Sequence, residues 1–241
     1  MKTLRYNINQ QIMSQFVTKA CDILDCYEGR DAAITFTLYF CCLISGFYPR
    51  KSKLHRSLQR IYKRLDDCRV VLRLYDDIAI IRDMFTYELR PGERNFLVRF
   101  LKFAHYISWI CYYPSEHIAW LGEMKMLNVD VELWLFYTNF FWSSALLTSA
   151  VWNAYVVLLY YTQQGLTKEE QEEEKKNFIP WTAARKAVLA TIRDGSEFVV
   201  AVHYLPRGYL WASSLTYIQV GLFGTCSAFM RLYALANFHE H

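Results

Sequence analysis

The feature that most constrains this chain is a stretch without charge. From Leu133 to Thr167, 35 residues pass with no Asp, Glu, Lys or Arg. Its apolar heart is Leu133–Tyr161, LWLFYTNFFWSSALLTSAVWNAYVVLLYY. As a helix this heart is roughly 44 Å long, against a hydrocarbon layer of about 30 Å, so it can cross a bilayer with residues to spare. Trp134, Phe136 and Tyr137 at one end, and Tyr155, Tyr160 and Tyr161 at the other, suit the two interfaces. A second run, Tyr209–Met230, has 22 uncharged residues bracketed by Arg207 and Arg231, the length of one crossing with cations free to reach the headgroups. Gly221, Gly224 and Ala228 give it a small-residue face suited to helix association, and Thr216 and Gln219 are expected to face protein. A third run, Ala32–Tyr48, has 17 residues and sits at the lower limit for a crossing. It reads as an interfacial or packed helix, with a full crossing as the alternative.

These runs explain a misleading average. The chain is 54% hydrophobic and 17% aromatic, yet its mean hydropathy is only +0.03. A disordered chain is excluded by the apolar mass, and a soluble enzyme seldom segregates its charge this way. The net charge of +4 does not itself imply a nucleic-acid partner. Seven Cys, an odd number without a C-x-x-C, read as reduced and mostly buried. There is no Asn-x-Ser/Thr sequon, and the first residues lack the apolar core of a cleavable signal peptide. FHEH at the end matches no retention or matrix signal, so any organelle address is expected to be internal.

Charge gathers elsewhere. Ser52–Phe85 reads as helix, with Leu54, Leu58, Ile61, Leu65, Cys68, Leu72 and Tyr75 at steps of four and three. Between Arg50 and Arg73 stand nine Lys/Arg and two acids, a local excess of +7. Up to Asp67 the cations occupy mainly the face away from the Leu/Ile stripe. From Val70 to Ile81 apolar residues spread around the helix, as they do where other helices cover it. Three readings of the basic stripe compete: a solvated face of a packed helix, nucleic acid, or a helix lying on anionic lipid. Nucleic acid is disfavoured because the stripe lacks aromatics for base stacking. The lipid reading assigns contact to Arg56, Leu58, Arg60, Ile61, Lys63, Arg64 and Leu65, with leaflet expansion and curvature as the consequence.

Asn95–Met126 is a further helical stretch interrupted or kinked at Pro114. Thr167–Lys176, TKEEQEEEKK, is a solvated start with a Thr167/Glu170 capping-box spacing, and Trp181–Leu205 follows as an amphipathic helix. No segment reads as a strand. The expected fold is all-α: a multi-helix integral membrane protein with two transmembrane helices plus amphipathic interfacial helices. Residues 1–132 form an N-terminal helical region with the amphipathic helix at about 53–81. Residues 133–161 are the first span, 162–208 a charged connection, 209–230 the second span and 231–241 a short tail. Before Leu133 there are 19 Lys/Arg and 15 Asp/Glu, while residues 162–207 hold seven of each. That bias places both termini on the cytosolic side.

No catalytic chemistry emerges. Asp76-Asp77 lacks the third carboxylate of a diphosphate-binding D-D-x-x-D, because position 80 is Ile80. His105, Glu116, His117 and His203 follow no metal-ligand spacing, and no phosphate loop, dinucleotide fingerprint or nucleophile elbow occurs. The chain is read as neither an enzyme nor a cofactor or metal protein.

Four separated stretches carry a resemblance. CRVVLRLYDDIA (Cys68–Ala79), YYPSEHIAWLGEMKML (Tyr112–Leu127), VHYLPRGYLWA (Val202–Ala212) and VGLFGTCSAFMRLY (Val220–Tyr233) stand in this order. They resemble the peroxisomal membrane protein 11, or peroxin-11, family, most like its gamma type. Tyr27, Gly29, Arg30 and Asp31 resemble the family's start, but Ala32 stands where members often carry a basic residue. The resemblance implies a peroxisomal membrane protein that controls peroxisome number, size and shape by membrane elongation and fission. It implies self-association, pairing with other family members, and recruitment of a tail-anchored fission adaptor and a dynamin-like GTPase. It also implies an amphipathic helix in the N-terminal half, which matches Lys53–Ile81 here. Two alternatives stand beside remodelling. One is a small-solute channel using Thr138, Asn139, Ser149, Asn153 and Gln219. The other is a passive helper whose basic helix docks on other members.

Overall fold

In a computed structural model, the described residues are 13, 17–88, 96–165 and 179–238. The charged cluster with its capping-box spacing at 167–176 lies outside them. A helical stretch at 17–25 leads to α1 (Tyr27–Gly46), and Cys26 caps α1 by accepting from the Gly29 amide. Then come α2 (Lys53–Leu72), α3 (Asp76–Glu88), α4 (Phe96–Glu123), α5 (Val131–Gln164), α6 (Trp181–His203) and α7 (Tyr217–Phe238). No strand occurs among the described residues. The architecture is all-α, with α5 and α7 long and apolar enough to cross a membrane.

Local chemistry sets the helix ends. The Ser52 side chain caps α2 by accepting from the His55 amide at 3.0 Å, and Asp130 caps α5 by accepting from the Leu133 amide at 3.2 Å. Pro114 lies inside α4 without ending it. The amphipathic helix expected at 53–81 is two helices. Arg73 turns inward to Glu116, the Asp76 amide donates to the Arg73 carbonyl at 3.0 Å, and Asp76 and Asp77 then open α3 where its dipole favours carboxylates. The second apolar run also differs from its helix. Residues 209–216 fold back on the end of α6: Trp211 Nε1 donates to the Val199 carbonyl at 2.8 Å and the Ser213 amide to the His203 carbonyl at 2.8 Å. Gly208, Leu210 and Ser213 take positive φ to make that turn. Helix α7 starts at Tyr217 and runs past Arg231, whose charge is matched across the bundle.

The helices pack neighbour to neighbour in the order α4, α5, α6, α7, α1, α2, and α2 meets α4 again, so that six helices surround a centre. Helix α3 lies outside, against α4. A dry cluster of Leu38, Tyr39, Cys42, Val200 and Val220 joins α1, α6 and α7, with Leu65 and Trp142 packed on it. Large apolar side chains also point outward. Leu133, Phe140, Leu147, Val151 and Leu158 on α5, and Leu222 and Phe229 on α7, are all exposed. At about 51 Å and 33 Å these two helices exceed the hydrocarbon thickness of about 30 Å.

Candidate functional site: a polar centre and a three-faced helix

Each residue turns a helix by about 100°, and on α2 this creates three faces. His55, Gln59, Tyr62, Asp66, Arg69 and Arg73, at steps of four and three, share the face toward the bundle centre. A quarter turn away runs the stripe of Leu54, Leu58, Ile61, Leu65 and Cys68. The rest of the circumference carries Arg56, Arg60, Lys63 and Arg64. Of the residues assigned to lipid contact, Arg56, Arg60, Ile61, Lys63 and Arg64 are exposed, while Leu58 and Leu65 are half-buried.

The inner face of α2 is held by hydrogen bonds and ion pairs. Gln59 Nε2 donates to Ser45 Oγ at 2.6 Å, and the Tyr62 and Tyr204 hydroxyls meet at 2.5 Å. Arg69 Nε donates to Asp31 Oδ1 at 3.0 Å, and Arg231 takes the other carboxylate oxygen at 2.6 Å. One buried carboxylate on α1 thus joins three helices. Next to it, Arg73 makes a two-pronged pair with Glu116 of α4, whose carboxylate also accepts from the Tyr112 hydroxyl. The pairing follows from burial: a carboxylate or guanidinium removed from water needs a partner of opposite charge. Asp194 on α6 follows the same rule, taking Arg193 at 2.6 Å and the Ser149 hydroxyl of α5 at 2.5 Å.

These groups surround a cavity of about 1300 Å³. Its wall includes Thr138, Asn139, Ser149 and Asn153 of the long apolar helix. Gln219 sits elsewhere, folded over the start of α7, where its side chain accepts from Thr216. At the rim, Asp76 accepts from the Tyr27 hydroxyl at 2.9 Å, and Asp77 faces His117 at 3.5 Å with its Oδ1 unpartnered. Burial raises both carboxyls. The Tyr27 hydroxyl and Arg73 oppose that rise at Asp76, and His117 opposes it at Asp77. No group of three or more His, Cys, Asp or Glu among the described residues could hold a metal.

The small-residue face of α7 is occupied within the chain. A Cβ on Gly221 would fall 2.3 Å from the Leu43 backbone, and one on Gly224 would fall 2.2 Å from the Tyr39 ring. Ala228 is 1% exposed. These residues bring α7 against α1 of the same chain. The Asp31 hub and the Arg73–Glu116 pair went unremarked in the sequence, although their signal was there: polar residues recur at helical spacing along α2. Asp31 and Arg231 close off the two charge-free runs that lie against each other.

The four sequence stretches that carry the resemblance converge here. Cys68–Ala79 supplies Arg69 and Arg73, Tyr112–Leu127 supplies Tyr112 and Glu116, Val202–Ala212 supplies Tyr204, and Val220–Tyr233 supplies Arg231. The sequence pattern of Peroxisomal biogenesis factor 11 (PEX11) matches residues 17–236. Peroxisomal membrane protein 11C of Mus musculus is 30% identical over 223 residues, covering 89% of this chain and 92% of its own length. The Homo sapiens protein of the same name is 29% identical over the same shares. No solved structure matches the chain. A match across nearly all the described helices, carried by stretches that meet around one polar centre, makes this chain a member of the peroxisomal biogenesis factor 11 family.

Proposed function

We propose that the protein shapes the peroxisomal membrane, promoting elongation and fission, with α5 and α7 crossing the bilayer and α2 carrying the lipid contact. The observation that carries this reading is the outer surface of α2. Arg56, Arg60, Lys63 and Arg64 stand exposed beside an apolar edge whose Leu54 and Ile61 are each 46% exposed. A helix with adjoining cationic and apolar faces lies in the headgroup boundary, and each Lys/Arg near an anionic surface contributes about 1 kcal/mol. Four such cations together contribute about 4 kcal/mol, and wedging the apolar edge into one leaflet expands it. Self-association, pairing with other family members, and recruitment of a fission adaptor and a dynamin-like GTPase belong to the same proposal. Both termini are assigned to the cytosolic side.

The packed position of α2 constrains how it reaches lipid. Gly46 lies on Ile218, Leu43 on Gly221, Tyr39 on Gly224 and Asp31 on Arg231, so α1 runs antiparallel along α7. Ser45 meets His55 and Gln59, Tyr39 meets Tyr62, and Asp31 meets Arg69, so α2 runs antiparallel along α1. Tyr62 and its neighbour Lys63 therefore lie level with Gly224, only about 5 Å along the axis from the middle of α7. With α7 spanning, Arg56 of packed α2 lies about 14 Å from the bilayer centre, at the hydrocarbon edge, while Arg60, Lys63 and Arg64 lie within about 8 Å of the centre. Each Lys or Arg there costs about 2.5–3.5 kcal/mol on insertion scales. Lipid contact at the headgroups requires α2 to occupy a second position.

The test is reconstitution of the full chain into vesicles containing anionic lipid, with electron microscopy of their shape. Wild type is expected to draw vesicles into tubules, and Ile61→Glu with Leu54→Glu to leave them round. Tubules of equal number from the double variant contradict the reading. A second reading, a small-solute channel, draws on the cavity wall, where Thr138, Asn139, Ser149 and Asn153 meet. Single-channel recording of the purified protein tests it: conductance altered by Asn139→Leu supports a pore, and a silent bilayer removes it.

A further inference from the structure

Helix α2 has two chemically unlike ways to be satisfied, and they exclude each other. Packed, its inner face is largely partnered: Gln59 on Ser45, Tyr62 on Tyr204, Arg69 on Asp31 and Arg73 on Glu116, with Asp66 exposed between them. Arg60 and Arg64 then lie on its outer surface near the depth of the α7 centre, while Lys63 borders the cavity. Lying on the membrane surface, the cations meet headgroups, but the inner face loses its partners. The two states share hinges. Phe47–Ser52 joins α1 to α2, with Phe47 66% exposed and Pro49 at its centre, and the turn at Arg73–Tyr75 ends α2, with Tyr75 79% exposed. The pairs are grouped where a latch needs them, at the far end of α2 from the Phe47–Ser52 hinge. Asp31 there is 3% exposed and shared between Arg69 and Arg231.

We infer that Asp31 and Glu116 form an internal latch that holds α2 against α1 and α4, and that anionic lipid competes with these two carboxylates for α2. This rests on the proposed lipid role of α2 and adds its regulation. The ligand that opens the latch is a surface of phosphate or carboxylate headgroups, chemically the same kind of partner that Asp31 and Glu116 offer to Arg69 and Arg73. A guanidinium leaving a buried carboxylate for a headgroup keeps an oxyanion partner, so opening exchanges ion pairs rather than abandoning them. In neutral lipid the buried pairs of Asp31 and Glu116 hold α2 closed against the cost of its outer cations, and opening increases as anionic lipid rises.

The experiment uses the full chain, with native cysteines replaced, reconstituted in vesicles of phosphatidylcholine alone or with phosphatidylserine. Spin labels at Ile61→Cys and Phe229→Cys report the distance between α2 and α7. Separately, a fluorophore at Ile61→Cys reports quenching by brominated lipid. In neutral vesicles the wild-type distance is expected to be short and single. It is expected to gain a longer component with phosphatidylserine, and Asp31→Asn to show that component even in neutral vesicles. Glu116→Arg is expected to open the helix, and Glu116→Arg with Arg73→Glu to close it again, a rescue that a merely misfolded variant does not give. Distances identical in wild type, Asp31→Asn and Glu116→Arg in both lipids overturn the latch. The two readings separate. A latch without a lipid role gives a lengthened distance in Asp31→Asn with no quenching in phosphatidylserine vesicles. A lipid role without a latch gives equal quenching in wild type and Asp31→Asn at an unchanged distance.

Discussion

Helix α1 is packed on both long sides, and the two seams are made of different materials. Toward α7 the contact is built from Gly46, Gly221 and Gly224 against Ile218, Leu43 and Tyr39, a seam of close backbone approach. Toward α2 it is built from Ser45, Asp31 and the Tyr39 ring against Gln59, Arg69 and the Tyr62 ring, with ion pairs and hydrogen bonds at the edges. Apart from the Asp31–Arg231 pair at its end, the first seam has no alternative partner, because a glycine face offers only shape. The second has one, because an arginine can exchange a carboxylate for a phosphate. The contrast assigns the seams opposite roles: the α1–α7 contact is a fixture and the α1–α2 contact is the separable one.

Four outcomes break or sharpen that contrast. The largest effect is expected from Asp31→Ala, which strands Arg69 and Arg231 together. Removing one partner of a buried pair costs about 3–5 kcal/mol. Limited proteolysis is expected to show α2 cleaved first while the α5 and α7 fragments stay protected. Gly221→Ala comes next, since its Cβ meets rigid Leu43 backbone at 2.3 Å. Overpacking of this kind costs about 1–3 kcal/mol, and the loss is expected as a lowered thermal midpoint of the whole protein rather than of α2 alone. Third, Arg60→Glu with Arg64→Glu is expected to leave the thermal midpoint unchanged, because both side chains are exposed, while weakening vesicle tubulation. Full tubulation by this variant contradicts a cationic contact.

The smallest effect concerns the rim. Burial raises the Asp77 carboxyl, so its neutral form is the better fit to the folded state. The linked stability is present at acid pH and is lost as pH rises through the raised value. Asp77→Asn is expected to flatten that part of the pH–midpoint curve, a small effect because the group is partly exposed. A slope unchanged in the variant assigns the pH dependence elsewhere.

The sequence made some of this legible for identifiable reasons. Charge-free length marks α5 and α7 because bilayer thickness leaves a direct signature in the chain. The outer cations of α2 stand out because no other stretch of the sequence concentrates so much positive charge. The start of α7 at Tyr217 was hidden, because residues 209–216 are as free of charge as a span yet fold as a turn tied to the end of α6. The break at Arg73 was hidden for a similar reason: it depends on Glu116, 43 positions away, drawing the guanidinium inward. Small residues at 221, 224 and 228 announce a close helix contact, but their spacing does not say that the partner is α1. Asp31 stands beside Arg30 and Glu28 at the edge of an apolar run, and only the antiparallel register of α1 with both α2 and α7 makes it a hub.

The central claim is that the apolar edge of α2 contacts lipid when the membrane is anionic. Quenching of a fluorophore at position 61 by brominated phosphatidylserine, in vesicles carrying the full chain, addresses it without any assumption about fission. The account predicts strong quenching by lipid brominated near the headgroup end of its chains and little by lipid brominated deep in the acyl layer. Equal, weak quenching by both, unchanged between neutral and anionic vesicles, contradicts it.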